Sequence, residues 1–290
     1  MTAARRLSPV TAGALSMIAA GALFAVVNIV VQWLAMRHGM ASSSIAFWQY
    51  LLALAAVLPW ILRCRLSDWR TSRPGLHLLR VLLAAAGVQF WISGLSEVPI
   101  WQAIALVMTS PFFVTAGAGL ILREHVGPAR WLAVIVGFAG GMIILAPWSE
   151  RFTLAAIWPL LAAACWAGSS LVTKRLTGEE EADRVTLWLL LLLTPINALV
   201  ALADGFALPP SGSWPLVASA GILTVLAQYA LARAYERADA SLLQPFDHLK
   251  LPMNVILGFV VFGFVPDGSM WPGAAIIIAA SAFILRVESR

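Results

Sequence analysis

Charge is scarce in this chain. Only 11% of its 290 residues are charged, while 61% are apolar. A soluble domain holds about 25% charged residues, so the composition excludes a water-soluble globule and implies a membrane protein. Cysteine is nearly absent: Cys64 and Cys165 stand alone, without metal-binding or redox spacing, and are not expected to pair. The four histidines, His38, His77, His125 and His248, are scattered. There is no HExxH, no GxSxG, no facing Asp pair and no GxxxxGK[ST] loop, which argues against an enzyme and against ATP as the driver. The net charge of +5 does not point to nucleic acid, because the basic residues are spread over short loops.

Long apolar runs, by contrast, are everywhere. Segments of about 17–25 residues suit a bilayer. They predict ten helices: Ala12–Ala35, Ile45–Leu62, Leu76–Leu95, Pro99–Leu122, Trp131–Pro147, Leu154–Thr173, Val185–Ala203, Trp214–Ala234, Leu242–Val265 and Ser269–Leu285. The first run is too long for a cleaved signal. With the N-terminus in the cytoplasm, sixteen Lys and Arg fall on the inner side, Arg37 and Arg151 on the outer, and Lys250 within the membrane. That bias predicts ten spans with both termini cytoplasmic.

The chain also repeats itself. Sliding Gly94–Ile144 onto Tyr235–Leu285 places Pro111 on Pro252 and Gly127 on Gly268. Near the repeat starts, Asn28 falls on Ser170. The expected organisation is a cytoplasmic N-terminus (1–11), a five-helix repeat (12–147), an outer linker (148–153), a second repeat (154–286) and a cytoplasmic C-terminus (287–290). An odd number of crossings inverts the second repeat. Inverted repeats are the plan of many secondary transporters, which bind substrate near the midplane.

The stretch QPFDHLKLPMN, residues 244–254, opens the ninth run. Asp247, His248 and Lys250 form a group of ionisable residues inside that predicted span. Lys or Asp at the bilayer centre costs about 2.5–3.5 kcal/mol, so such groups pair or line a polar cavity. Gln244, Asp247, Lys250 and Asn254 share one side of a helix, with His248 at its margin. Two readings stand for Asp247 and Lys250: a self-neutralising i, i+3 pair, or a site binding a carboxylate, an amine or a coupling proton. His248 is either a titrating group or a structural one. Pro111 and Pro252, at matching places in helices four and nine, are either gate hinges or fixed bends. Gly137 and Gly141 (GxxxG) mark close helix packing, as do Ala116, Gly117 and Gly119. Trp60, Trp131, Trp148, Trp214 and Trp271 lie near helix ends, as interface anchors do. Trp91, Trp101 and Trp166 lie deeper and either stack a flat substrate or pack on helices. Ser110 and Ser169 are further polar groups within spans. The acidic run Glu179–Glu181 reads as a solvated turn.

The stretch VPIWQAIALVMTSPFFVTAGAGLILREHVGPARWLAVIVGFAGGMII runs from an Ala-rich segment through Pro111 and Glu124 to a glycine-rich helix; Ala238–Ile284 follows the same outline through Pro252. On these features the chain resembles the EamA-type permeases of the drug/metabolite transporter superfamily. It departs near Val265, where the family often has a second glutamate. The resemblance implies an all-α carrier with a cavity between helices one, three, four, six, eight and nine. Asn28, Gln89, Gln102 and Tyr229 would line it. No cofactor is implied. The expected function is alternating-access export of neutral or aromatic amino acids and related metabolites across the bacterial inner membrane. The alternative is the same carrier for a vitamin, a nucleoside derivative, S-adenosylmethionine taken up, or a cationic drug. Expected partners are a small substrate and the lipid bilayer, with protons as a candidate coupling ion; the chain would act as a monomer or homodimer.

Overall fold

The computed structural model describes residues 8–61, 69–97, 106–145, 155, 157–263, 268 and 270–288. Among them there is no strand. The main helices are α1 (Pro9–His38), α2 (Ser42–Ile61), α3 (Pro74–Glu97), α4 (Ser110–Leu120), α5 (Pro128–Leu145), α6 (Ile157–Thr177), α7 (Ala182–Ala203), α8 (Trp214–Arg237), α9 (Ala240–Asp247), α10 (Lys250–Phe262) and α11 (Met270–Glu288). Ser8 caps α1 by accepting from the Thr11 N–H, and Gly39, at φ 62°, ends it in the left-handed conformation.

Among the described residues, four stretches are both long and apolar enough to cross a membrane: Pro9–His38, Ser42–Pro59, Ala182–Ala203 and Ser211–Arg237. Ten such spans were expected. Some of the difference is physical. The predicted ninth span is two helices, α9 and α10, broken at His248–Leu249. The fourth breaks at Met108–Thr109 before α4 begins. Gly168, Ser169, Ser170 and Lys174 dilute α6.

Both breaks lie just upstream of the matching prolines, and both keep near-helical angles. Thr109 has φ −76°, ψ −13°, and Leu249 has φ −62°, ψ −22°. A proline supplies no N–H to the carbonyl four residues back. At Pro252 that carbonyl belongs to His248, and it accepts from the Leu251 N–H instead (3.1 Å). The Leu249 N–H likewise turns to Phe246 (3.1 Å). The Pro245 carbonyl, freed by this tightening, accepts from Ser281 Oγ of α11 at 2.8 Å. The elbow is thus hydrogen-bonded without water, as a non-aqueous setting requires.

The largest buried cluster gathers Ala14 and Met17 of α1, Val114 and Ala118 of α4, and Ala133 of α5. It joins them to Ala167 and Leu171 of α6, Tyr235 of α8, Leu242, Leu243 and Phe246 of α9, and Ile284 of α11. Both halves of the chain therefore meet in one core. Small residues permit the approach. A Cβ on Gly13 would lie 2.7 Å from Ala238 Cβ, and one on Gly117 would lie 2.2 Å from Leu171 Cδ1. The glycine-rich α5 packs as expected. Gly137 receives the His248 ring, and Gly140 meets the Gly273 carbonyl and Ile277 of α11.

The turn Glu179–Glu181 corrects an expectation. Glu180 is buried, with His77 Nε2 at 3.0 Å and Thr71 Oγ1 donating at 2.5 Å. Glu179 pairs with Arg73 at 2.6 Å. The acidic run ties the α2–α3 link to the α6–α7 link and is not simply solvated. Sequence reading missed this because partner and acid stand over a hundred positions apart.

Candidate functional site

The site forms around the α9–α10 elbow. Residues Ala240–Phe246 are all buried. At the end of α9 the Gln244 amide donates to the Ala240 carbonyl (2.7 Å). The Tyr235 hydroxyl of α8 lies near both Gln244 and Ser170 of α6. Tyr235, Ser170 and Gln244 thus form one polar layer across three helices. Tyr235, 2% exposed, was not among the expected site residues. Its position after an Arg-rich helix end gave no signal.

One turn beyond this layer, Lys250 Nζ donates to Asp247 Oδ2 at 2.6 Å. The two side chains are 41% and 25% exposed. The self-neutralising pair is therefore formed, and it is also accessible. Asn254 donates to the Lys250 carbonyl (2.6 Å) and accepts from Asn28 Nδ2 of α1 (3.1 Å). Gly21 of α1 lies against Lys250, where a Cβ would meet Lys250 Cβ at 3.6 Å. Asn28 and Gly21 are seven residues apart, on one face of α1. The result is a polar ladder along α1 and α10: Asp247, Lys250, Asn254, Asn28. Polar groups exposed within a span favour water or substrate beside them over lipid.

His248 is fully buried at the elbow. Its ring lies against α5, where a Cβ on Gly137 would come within 2.6 Å of Cδ2. Neither ring nitrogen has a well-formed side-chain or backbone hydrogen bond, though the Val134 carbonyl acts on the ring. His248 is a wedge behind the site, not part of its accessible wall.

Trp166 of α6 stands one turn from Ser170, on the same face. Its indole lies across α3 at Gly87, where a Cβ would sit 2.5 Å from Nε1. Trp91 of α3 is 6.1 Å away between ring centroids, at 46°. Ser169 donates to the Arg80 carbonyl (3.1 Å), which gives it a packing role between α6 and α3. Ser110 begins α4 and Pro111 is buried behind it; Pro252 is buried at the start of α10.

Two expected residues lie elsewhere. Gln89, exposed, stands two residues from Trp91 and so nearly opposite it on α3. Tyr229 lines grooves on the outside of α8, with Arg233 and Ala12 in one and Asp183 and Leu187 in the other. Ala12 is nine residues from Gly21, on the opposite face of α1. Tyr229 is thus separated from Lys250 by the thickness of α1. The family resemblance implied an inward position for it, but α1 claims the inner face. Trp101 and Gln102 lie outside the described residues, as do Trp148 and Cys64.

What these residues offer is a neutralised ion pair and two amides along α1 and the α9–α10 elbow, and an aromatic pair between α3 and α6. That is binding chemistry. Glu124, the residue that carried the family resemblance in the first half, sits below the floor. Its carboxylate accepts from the Ala240 N–H (2.8 Å), the Ser241 N–H (3.1 Å) and Ser241 Oγ (2.8 Å), at the start of α9.

Comparison with known proteins agrees. The EamA-like transporter family matches twice, over residues 11–146 and 153–286. A protein of Rhizobium johnstonii named "Riboflavin transporter" is 54% identical, across 96% of this chain and 92% of its own length. An "S-adenosylmethionine uptake transporter" of Rickettsia bellii is 29% identical, across 86% of this chain and 85% of its own. A crystal structure with 17% identity superposes with a TM-score of 0.82, covering 94% of this chain and 96% of that one; it shows a shared fold. The chain belongs to the EamA-like transporter family and is a multi-pass integral membrane transporter, not an enzyme.

Proposed function

We propose that this transporter carries riboflavin, by alternating access around the Asp247–Lys250 ladder. The observation that carries the reading is 54% identity, over nearly the whole chain, to a protein named riboflavin transporter. The chemistry of the site supports it. Riboflavin is uncharged, with a flat tricyclic ring and a polyhydroxyl chain. The closed pair at 2.6 Å leaves no net charge to satisfy. Trp91 and Trp166 provide ring faces for the flavin. Asn28 and Asn254, with the ion pair, provide donors and acceptors for imide and hydroxyls.

This replaces the expectation of amino-acid export. A zwitterion would have to split the Asp247–Lys250 pair and bind both ends, and the relatives' names favour the vitamin alternative. S-adenosylmethionine is the second reading, favoured by the Rickettsia relative at lower identity. A sulfonium cation would draw on Asp247, at the cost of its bond to Lys250.

The repeat supports the mechanism. Two family matches in one chain, each over an odd number of expected crossings, support a reading of two inverted halves with both termini on one side. In that reading the halves are 12–147 and 154–286, with ten crossings. Riboflavin uptake into proteoliposomes tests the proposal. Saturable uptake, inhibited by excess unlabelled riboflavin, is the expected result; its absence in protein that still exchanges S-adenosylmethionine selects the second reading.

A further inference from the structure

The floor of the site is held from below by groups that no transport step has yet used. α9 begins where α1, the α4–α5 link and the end of α8 converge. The Glu124 carboxylate supplies three acceptor contacts to Ala240 and Ser241. Asp239, in the N-cap position, makes no side-chain cap of its own. Instead it pairs with Arg130 of α5 at 2.9 Å. Arg130, itself buried, also donates to Ser241 Oγ at 2.8 Å. From α6, Lys174 Nζ donates to the Tyr235 and Ala238 carbonyls, at 2.9 and 2.7 Å.

Two features make this cluster more than a helix cap. First, it bridges the repeats: Glu124 and Arg130 belong to the first, and Asp239 and Ser241 to the second. Second, its geometry is built. Arg123 adopts φ 58°, a left-handed conformation uncommon for a side-chain-bearing residue, and the Glu124 N–H then reaches the Ala118 carbonyl at 3.0 Å. That turn aims the carboxylate at the positive end of α9, where an anion is stabilised.

Resting on the alternating-access reading, but not on the cargo, we propose that Glu124 and Arg130 form the latch of one gate. While they hold the start of α9, the site is closed at the end where α1 begins. For cargo to leave by that end, α9 must separate from α4 and α5. The bonds broken are charge-assisted, so the latch resists opening until the other end closes. Glu124 is a positioning residue: it acts through α9 and touches no substrate in this arrangement.

The test uses the full chain in vesicles, with the native cysteines replaced and a Ser170→Cys reporter in the floor. A membrane-impermeant maleimide is applied from each side in turn. Glu124→Gln keeps the shape but removes the charge. It is expected to raise reporter labelling about tenfold from the latch side, the size of effect expected when a charge-assisted bond is lost. A Glu124→Cys/Ser241→Cys pair, joined by a short thiol-cleavable bifunctional reagent, is expected to stop flux while leaving cargo binding intact, with flux restored on reduction. The pair is built without the reporter. Undiminished flux in the cross-linked protein overturns the latch. So does Glu124→Gln labelling unchanged on the latch side while cargo shifts labelling in the parent. If labelling never responds to cargo from either side, alternating access itself fails, and the latch with it.

Discussion

α9 and α10 are two arms of what the sequence presents as a single span, yet their surroundings differ sharply. In α9, seven consecutive residues, Ala240–Phe246, are buried. In α10 only Leu251, Pro252 and Gly258 are. α9 is gripped by both repeats, through the core cluster and the Glu124–Arg130 contacts. α10 is held on its polar side by α1 through one amide bond and a glycine contact, and it exposes Phe259 at 47% and Val260 at 71%. The contrast separates an arm gripped in this arrangement from one held by fewer contacts. The ionisable pair sits at their junction, where a change in the angle between the arms reshapes the site most.

Substitutions at six positions break or sharpen that contrast. The largest effect is expected at the junction. Lys250→Ala strands Asp247 without its partner, and riboflavin flux should fall about tenfold or more, while Lys250→Ala with Asp247→Asn should recover part of it. Initial uptake rates at matched protein levels check this.

Next comes the packing of the elbow. Gly137→Ala puts a methyl 2.6 Å from the buried His248 ring. The expected loss is about 1–3 kcal/mol, from overpacking. Gly21→Ala, against α10, meets Lys250 at 3.6 Å, an ordinary contact, and should be tolerated. Thermal unfolding in one detergent compares the two; equal losses would remove the distinction between the arms.

Trp166→Ala should weaken riboflavin binding by about 0.5–1.5 kcal/mol, with Trp166→Phe nearer the parent. Quenching of flavin fluorescence on binding reports it. The smallest effect belongs to Asn28→Ala, which removes one interhelical bond worth about 0.6 kcal/mol. A shift in melting temperature near the detection limit is the expected readout.

Much of this was legible before any coordinates. The apolar runs, the doubled outline and the shared face of Gln244, Asp247, Lys250 and Asn254 follow from period and composition. Pro252 announced trouble in the ninth run, although the break falls just upstream of it at His248–Leu249. Other features were hidden for physical reasons. A resemblance says which helices surround a cavity but not which face of each turns to it, so Tyr229 was expected inward when α1 lies between it and the site. Glu180 and Glu124 find partners far along the chain, and no local pattern encodes such pairs. Cargo was illegible because an ion pair, amides and indoles suit many small amphiphiles. The relatives' names carry the cargo proposal, and the closed state of the pair is compatible with an uncharged ligand.

Counterflow is the most direct measurement. Proteoliposomes are loaded with unlabelled riboflavin and diluted into trace labelled riboflavin. Transient accumulation of label is predicted for the parent chain, and its loss for Lys250→Ala. No accumulation in the parent, from a preparation that exchanges S-adenosylmethionine or an amino acid under the same conditions, would contradict the account.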